Sequence, residues 1–346
     1  NQHLEGLEID DISDSTEGDF DYIRARKGGL NVSFFSIYLP ASTQSDGTSH
    51  KMANELIDFV EDIVTLNPRK FLLIRSTQEI NTLKKKDAVG IALGMENGAP
   101  IEGDLSRVQY YFDRGIRYIT LTHSKTNHIS DSSYDENIQW HGLSEFGKTL
   151  IEEMNRVGIM IDISHVNDEA FYQAIELSQV PVIASHSSLR HFTPGFERNV
   201  DDAMLNKLAE KGGVLQINFG SSFISQRPRD YMDQMNNFLE LKFGQNRSGV
   251  SEEVINEARK EFFSKNEYPY ATLDEVLGHF DRVVNLVGVD HVGIGSDYDG
   301  VGDTLPIGLK DVSSYPSLIE GFLERGYSRE DIDKILGGNL IRVWKE

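Results

Sequence analysis

The sequence predicts an α/β fold, a (β/α)8 TIM-type barrel. Two observations carry that expectation. Seven short apolar runs alternate with stretches of helical period, the pattern of a parallel sheet covered by helices. Five of the seven runs end in a side chain able to hold a metal or carry a proton, and in a parallel barrel the strand ends converge on one face. The length of 346 residues suits a single barrel domain spanning 1–346 with an insertion, because barrels run well beyond about 250 residues as one unit.

The runs, in order, are Leu30–Leu39, Val89–Glu96, Tyr118–His123, Met160–His165, Pro181–His186, Gly213–Phe219 and His291–Asp297. Each is too short for a helix and rich in β-branched residues, as strands buried on both faces are. Between them, helices open at readable caps. Asp104 precedes Val108, Tyr111 and Phe112; Ser144 precedes Phe146, Leu150 and Met154; Asn167 precedes Ala170, Phe171 and Ile175; Asp202 precedes Leu205 and Leu208. Ser328 with Asp331 three residues on is a capping-box pattern. The rhythm breaks once, over about 60 residues from Ser222 to Arg282, a charged and mostly helical interval read as an insertion on the barrel. The first 27 residues are acidic and carry no clear period.

Composition removes several function classes. A formal net charge of −21 repels nucleic acid, whose binding rests on phosphate neutralisation, and argues against docking on anionic membranes. The absence of cysteine excludes disulfides, Cys-ligated zinc and a cysteine nucleophile. No apolar run approaches the 18 or so residues of a transmembrane helix. The sequence opens on Asn1, read as a processed start with any signal segment upstream. A periplasmic, secreted or envelope-attached location is the reading preferred over a cytoplasmic one.

The run ends concentrate the chemistry. They are Glu96, His123, His165, His186 and Asp297, and three of the ten histidines of the chain lie among them. A single buried histidine reads as a packed core residue; five convergent ends read as a site. Imidazole together with carboxylate suits zinc or a similar divalent ion, which makes water a nucleophile near neutral pH. Other readings fail on spacing. Asp297-Tyr298-Asp299-Gly300-Val301 lacks the third alternate ligand of a calcium loop. Gly293 and Gly295 lack the third glycine of a dinucleotide fingerprint. No G-x-S-x-G elbow accompanies the serines beside His186.

These motifs resemble the membrane (renal) dipeptidase family of zinc peptidases. The matching stretches are Gly94-Met95-Glu96-Asn97-Gly98, Leu121-Thr122-His123-Ser124, Asp162-Ile163-Ser164-His165-Val166, Ser185-His186-Ser187-Ser188, Arg198-Asn199 and Gly295-Ser296-Asp297-Tyr298-Asp299-Gly300, with the tail from Asp311 to Leu340. The resemblance implies a binuclear zinc centre in which Glu96 bridges both ions and His165 and His186 bind one of them. It implies that His123 contacts substrate and stabilises the tetrahedral intermediate, that Arg198 holds the substrate carboxylate, and that Asp297 shuttles the proton. The implied substrate is a dipeptide, and the implied assembly a homodimer. Taken by itself, an arginine in a loop is usually a solvated surface residue. Asp299 reads as a helix cap or an orienting neighbour, and His191 as a solvated loop residue.

One departure stands out. The family pattern opens with H-x-D at the end of a first strand, and the nearest string here is His3-Leu4-Glu5, with no strand before it. An upstream first strand carrying H-x-D implies two zinc ions per chain; a degenerate member implies one at most. The upstream reading is adopted, because a barrel short of a strand leaves two long sheet edges. The expected activity is zinc-dependent dipeptide hydrolysis. The alternatives are a related amidohydrolase acting on N-acyl amino acids or lactams, and a non-catalytic peptide-binding relative.

Overall fold

A computed structural model describes residues 11–83, 87–244 and 249–346. Among the described residues eight parallel strands lie in one sheet: β1 (Val32–Tyr38), β2 (Phe71–Leu73), β3 (Val89–Glu96), β4 (Ile116–Thr120), β5 (Met160–Asp162), β6 (Ile183–Ser187), β7 (Val214–Ile217) and β8 (Val292–Ile294). The order is β1-β3-β4-β5-β6-β7-β8, with β2 alongside the start of β3. Each of the seven expected runs holds a strand, and β2 is the strand that sequence reading missed. Among the described residues β1 and β8 are the ends of the path. The string His3-Leu4-Glu5 lies outside the described residues.

Why β3 reads as unbroken apolar sequence is visible in its setting. It pairs with β1 and β2 as well as β4, and all but its last residue are buried, so no position faces water. Gly94 is required by close approach, since a Cβ there would stand 2.0 Å from Cζ of Tyr118. Tyr118 packs with Met160, Ile183, Val214 and, partly buried, Phe34. These five come from five strands, and Leu340, Val343 and Trp344 of the C-terminal helix pack against them. The end of the barrel opposite the site is thereby closed with apolar side chains.

The outer wall is helical. Ser144 and Asn167 cap their helices as expected, accepting from the backbone N–H of Gly147 and Ala170. Thr272–Glu275 and Ser328–Asp331 form capping boxes. Two caps differ from expectation. The cap of helix Asp202–Glu210 is Asp201, whose side chain accepts from Met204 N–H; Asp202 is the first helical residue and binds Arg282. Asp104 accepts from Ser106 N–H, but the helix begins at Ser106 with Leu105 before it.

The interval 222–282 is not uniform. Helices Gln226–Phe243 and Glu252–Lys265 form a hairpin with its own small core of Tyr231, Met235, Leu239, Ile255, Ala258 and Phe262. Helix Leu273–Val287 instead joins the barrel wall, placing Val276, Leu277, Phe280 and Val283 in the main core. Its His279 is fully buried and tethers the wall to the root of the hairpin. Nδ1 accepts from Leu189 N–H at 3.2 Å and Nε2 donates to the Ile224 carbonyl at 3.0 Å. Among the described residues no helix is long and apolar enough to cross a membrane.

Candidate metal centre

Glu96 is the last residue of β3, in register with Tyr38 of β1 and Thr120 of β4. Its Oε1 faces three imidazoles: His123 Nε2 at 3.4 Å, His165 Nε2 at 3.3 Å and His186 Nε2 at 3.3 Å. Its Oε2 accepts from Ser36 Oγ at 2.7 Å. The Nε2 atoms of His165 and His186 stand 2.8 Å apart. Four ring and carboxylate groups from β3, β6 and the ends of β4 and β5 therefore meet at one point, at the C-terminal mouth of the sheet.

These contacts set the proton affinities. Burial acts to raise the Glu96 pKa, but the His186 charge and hydrogen bonds from the three imidazoles outweigh it and hold the carboxyl well below its usual range. Burial acts to lower the His186 pKa, but Glu96 reverses this and raises it. His165 is pushed well below its ordinary value by burial, with Arg198 and the neighbouring imidazoles adding to the effect.

The donor set fits a divalent cation. Two Nε2 atoms this close need a proton or a cation between them. Ligand atoms roughly 2.0–2.1 Å from a tetrahedral ion stand about 3.4 Å apart, close to three of the spacings above. The tautomer of His186 agrees. Ser185 Oγ donates to Asp162 Oδ2 at 2.6 Å, so at 2.7 Å from His186 Nδ1 it accepts that N–H, which in the neutral ring leaves Nε2 as the nitrogen with the free lone pair, on the Glu96 side. Asp162 is anchored in turn by Thr120 Oγ1 at 2.5 Å and by the backbone N–H of Ser164 and Ser185 at 3.0 and 2.8 Å. Nδ1 of His123 and Nδ1 of His165 are buried without a hydrogen-bond partner, so for these two rings the chain itself does not choose the tautomer. Glu96, His123 and His165 offer ligand atoms that all lie within 4.8 Å of one another, so His123 stands in the same cluster as the expected ligands.

Backbone strain marks the same place. His165 has φ +71° and Asp297 φ +59°, a left-handed conformation that aspartate adopts occasionally and histidine at a cost. The His165 carbonyl is pinned by Ser133 N–H at 2.9 Å. Asp297 Oδ2 accepts from Asn218 Nδ2 at 2.8 Å. Burial raises the Asp297 pKa; His186 and Arg198 oppose this and Glu96 adds to it.

Arg198 is buried, 3% exposed, which overturns its reading as a solvated surface residue. Nη1 donates to Ser187 Oγ at 2.6 Å and Nη2 to the His186 carbonyl at 2.8 Å, while Nε is buried without a partner. Among the described residues no helix begins at Asp299; its carboxylate accepts from Asp19 N–H at 2.7 Å, and its own N–H donates to the Asp19 carboxylate at 2.8 Å. His191 is exposed and packs edge-on against Phe192, apart from the cluster.

Sequence reading missed Ser36, Tyr38, Tyr134, Asp162, Ser185 and Asn218. Tyr38 lies against the His123 ring at 4.8 Å and Tyr134 against His165 at 6.0 Å. Asn218 had a signal, since it falls one residue past β7 just as the ligands fall at other strand ends. Tyr134 had none.

Comparison with known proteins bears on the family and the fold. A model of the membrane dipeptidase family, peptidase family M19, matches residues 2–346. An uncharacterized dipeptidase of Schizosaccharomyces pombe is 32% identical over 339 residues, covering 94% of this chain and 71% of that protein. Dipeptidase 3 of Mus musculus is 30% identical over 337 residues, covering 96% of this chain and 58% of that protein, so the chain spans little more than half of that relative. The solved structure of a probable dipeptidase from Pseudomonas aeruginosa superposes with a TM-score of 0.85 at 26% identity, covering 99% of this chain and 91% of that one. A metallo peptidase from Rhodobacter sphaeroides, liganded with a phosphinate mimic of the dipeptide L-Ala-D-Ala, has the same fold, with a TM-score of 0.77 at 24% identity and coverage of 96% and 91%.

Proposed function

The chain belongs to the membrane dipeptidase family of metallopeptidases, and from that premise we propose that it is a zinc-dependent dipeptidase whose metal is held by Glu96, His165 and His186. The observation that carries this reading is the single carboxylate oxygen, Glu96 Oε1, within 3.4 Å of three imidazole nitrogens at the mouth of the sheet. Imidazole and carboxylate without thiolate are the donor set of a catalytic zinc site. When bound, such an ion supplies Lewis acidity, making water nucleophilic at neutral pH and polarising the scissile carbonyl.

The remaining roles follow from what each side chain can do. Arg198 is fixed by Ser187 and the His186 carbonyl and keeps donors unspent, so it receives the α-carboxylate of a dipeptide in the fork geometry that guanidinium suits. His123 lies close to Glu96, steadied by Tyr38, and donates to the carbonyl oxygen as negative charge develops there. Asp297, oriented by Asn218, holds protons more readily than an ordinary aspartate. It therefore suits acceptance of a proton from the attacking water and delivery to the leaving amine. Tyr118, Met160, Ile183 and Val214 close the floor, so substrate enters and leaves from the mouth. The one H-x-D string among the described residues, His279-Phe280-Asp281, lies within helix Leu273–Val287 and not at a strand end; a second zinc would depend on such a pair at the end of a first strand, and Glu96 with that pair would then hold it.

The test is hydrolysis of Ala-Ala with metal content measured on the same sample. Chelator-treated protein is expected to lose activity and to regain it with zinc, and His186→Ala to abolish turnover. Full activity after chelation, or a normal rate in His186→Ala, sinks the reading. Cleavage of N-acyl amino acids with no cleavage of dipeptides redirects it to another amide.

A further inference from the structure

A second arginine stands beside the site and has no role in the reaction described so far. Arg229 lies in the first turn of helix Gln226–Phe243 of the hairpin. Its Cζ is 3.6 Å from the centroid of the Phe196 ring. Phe196 is the centre of an aromatic path leading to the metal cluster. One branch runs through Phe223, 5.5 Å from Phe196, which carries Arg198 Cζ at 5.3 Å. The other runs through Tyr134, 6.0 Å from Phe196 and 6.0 Å from the His165 ring. Arg229 and Arg198 thus sit at opposite ends of one aromatic pair. Tyr134 is 44% exposed although it touches both His165 and Phe196, so this side of the site is open to ligand.

Arg229 forms no ion pair among the described residues. Burial draws its pKa below the ordinary value, partly offset by Asp233 and Asp230 of its own helix and by the Tyr134 phenol. The chain has 55 acidic residues against 34 basic, so partners for a cation are abundant elsewhere on its surface. A half-buried guanidinium outside any ion pair, near the arginine proposed above to bind the substrate carboxylate, is suited to an anion brought by the substrate.

We propose that Arg229 is a specificity residue, taking the anionic side chain of the C-terminal residue of a dipeptide whose α-carboxylate is held by Arg198. The substrates it favours are dipeptides ending in aspartate or glutamate. The assignment to the C-terminal residue follows from the Phe196–Phe223 pair, which joins Arg229 to Arg198 rather than to the far side of the cluster. This inference rests on the dipeptidase reading above.

The experiment compares isosteric pairs, Ala-Asp against Ala-Asn and Ala-Glu against Ala-Gln, with Ala-Ala as the neutral reference, on the zinc-loaded chain. A charge-assisted contact predicts kcat/KM favouring the acidic member roughly ten- to hundredfold, carried mainly by KM. Arg229→Met keeps an alkyl stem on Phe196 and is expected to bring the ratio to about one while Ala-Ala turnover changes little. Arg229→Glu is expected to invert the ratio, and Arg229→Lys to keep part of it. A ratio unchanged in Arg229→Met and Arg229→Glu overturns the proposal. Calorimetric binding of free aspartate against asparagine needs no turnover. Tighter aspartate binding that disappears in Arg229→Met supports the assignment, and equal binding in the wild type overturns it. Failure to cleave any dipeptide, by contrast, strikes the peptidase reading and leaves the binding comparison to decide on Arg229.

Discussion

The strand wall from β3 to β6 and the hairpin over 226–265 treat polar groups in opposite ways. In the wall they are buried and tied to one another. Asp162 alone takes hydrogen bonds from Thr120, from Ser185 twice and from Ser164, and through Ser185 it orients His186. In the hairpin the charged groups lie outside, paired across water-facing helices as in Lys242–Glu261–Lys265 and Lys260–Glu257, over a small apolar core of its own. The difference teaches a division of labour. The buried network around Asp162 holds the His186 ring in one orientation, which a metal centre needs. A separately packed hairpin can change its residues without disturbing that centre, which suits a region that selects substrates.

The largest effect expected from breaking this contrast is at Asp162. Asp162→Ala leaves two buried backbone N–H groups and two hydroxyls without acceptors, a cost of about 4 kcal/mol. It also frees His186 to turn, lowering zinc affinity roughly 10- to 100-fold. Denaturant midpoints and a zinc titration read the two losses separately. Asp162→Asn keeps the shape and part of the hydrogen bonding and is expected to lose less of both. Zinc affinity equal to wild type in Asp162→Ala would mean that the network does not orient the ligands.

Leu239→Ala probes the other side. Leu239 is fully buried in the hairpin core, so the cavity costs about 3 kcal/mol. Because that core is separate from the main one, the loss is expected as local opening of 226–265. Hydrogen exchange should quicken in those two helices and stay unchanged in β3 to β6, with Ala-Ala hydrolysis preserved. Equal acceleration in the β3 strand would show that hairpin and wall open together.

This contrast also explains what sequence could and could not reveal. The wall was legible because strands buried on both faces read as apolar runs, and because a parallel sheet places its ligands at run ends. Glu96, His123, His165, His186 and Asp297 all obey that geometry. β2 was not legible: Phe71–Leu73 is three residues long and is a strand only because Val89–Ile91 pairs with it. Nor was the edge of the insertion. The apolar face of Leu273–Val287 looks the same whether it packs on the hairpin or on the barrel, and only tertiary structure assigns Val276 and Phe280 to the main core. Asp201 and Asp202 are chemically equivalent candidates for one cap, and the register of the Met204 N–H decides between them. Ser36, Tyr134 and Arg229 carry no periodic signal, because their importance comes from groups distant in sequence.

Acid titration sharpens the comparison most finely, at two residues displaced from their ordinary pKa by similar amounts. In the wall, burial lowers His279 from 6.5 to about 4, against a partial opposing effect of its bond to the Ile224 carbonyl. The native state therefore keeps His279 neutral while the unfolded chain takes up a proton, so its contribution is complete above pH 6.5 and is lost as pH falls to about 4. The loss is about 3 kcal/mol. In the hairpin, hydrogen bonds from Lys242 and Lys265 hold Glu261 at about 2 against an ordinary 4.5. The sign is the same, with stability present above 4.5 and lost toward 2, but Glu261 lies on the water-facing side of the hairpin and its ion pairs are screened by water and salt. At about 0.15 M salt, His279→Gln, which can hydrogen bond but does not titrate, is expected to flatten the fall in stability between pH 6.5 and 4. Glu261→Gln is expected to track wild type throughout the acid range. Denaturant unfolding at stepped pH checks both. If His279→Gln keeps the wild-type slope, the tether between wall and hairpin does not depend on a neutral imidazole. If Glu261→Gln departs from wild type below pH 4.5, the surface pairs of the hairpin contribute more than exposed charges ordinarily do.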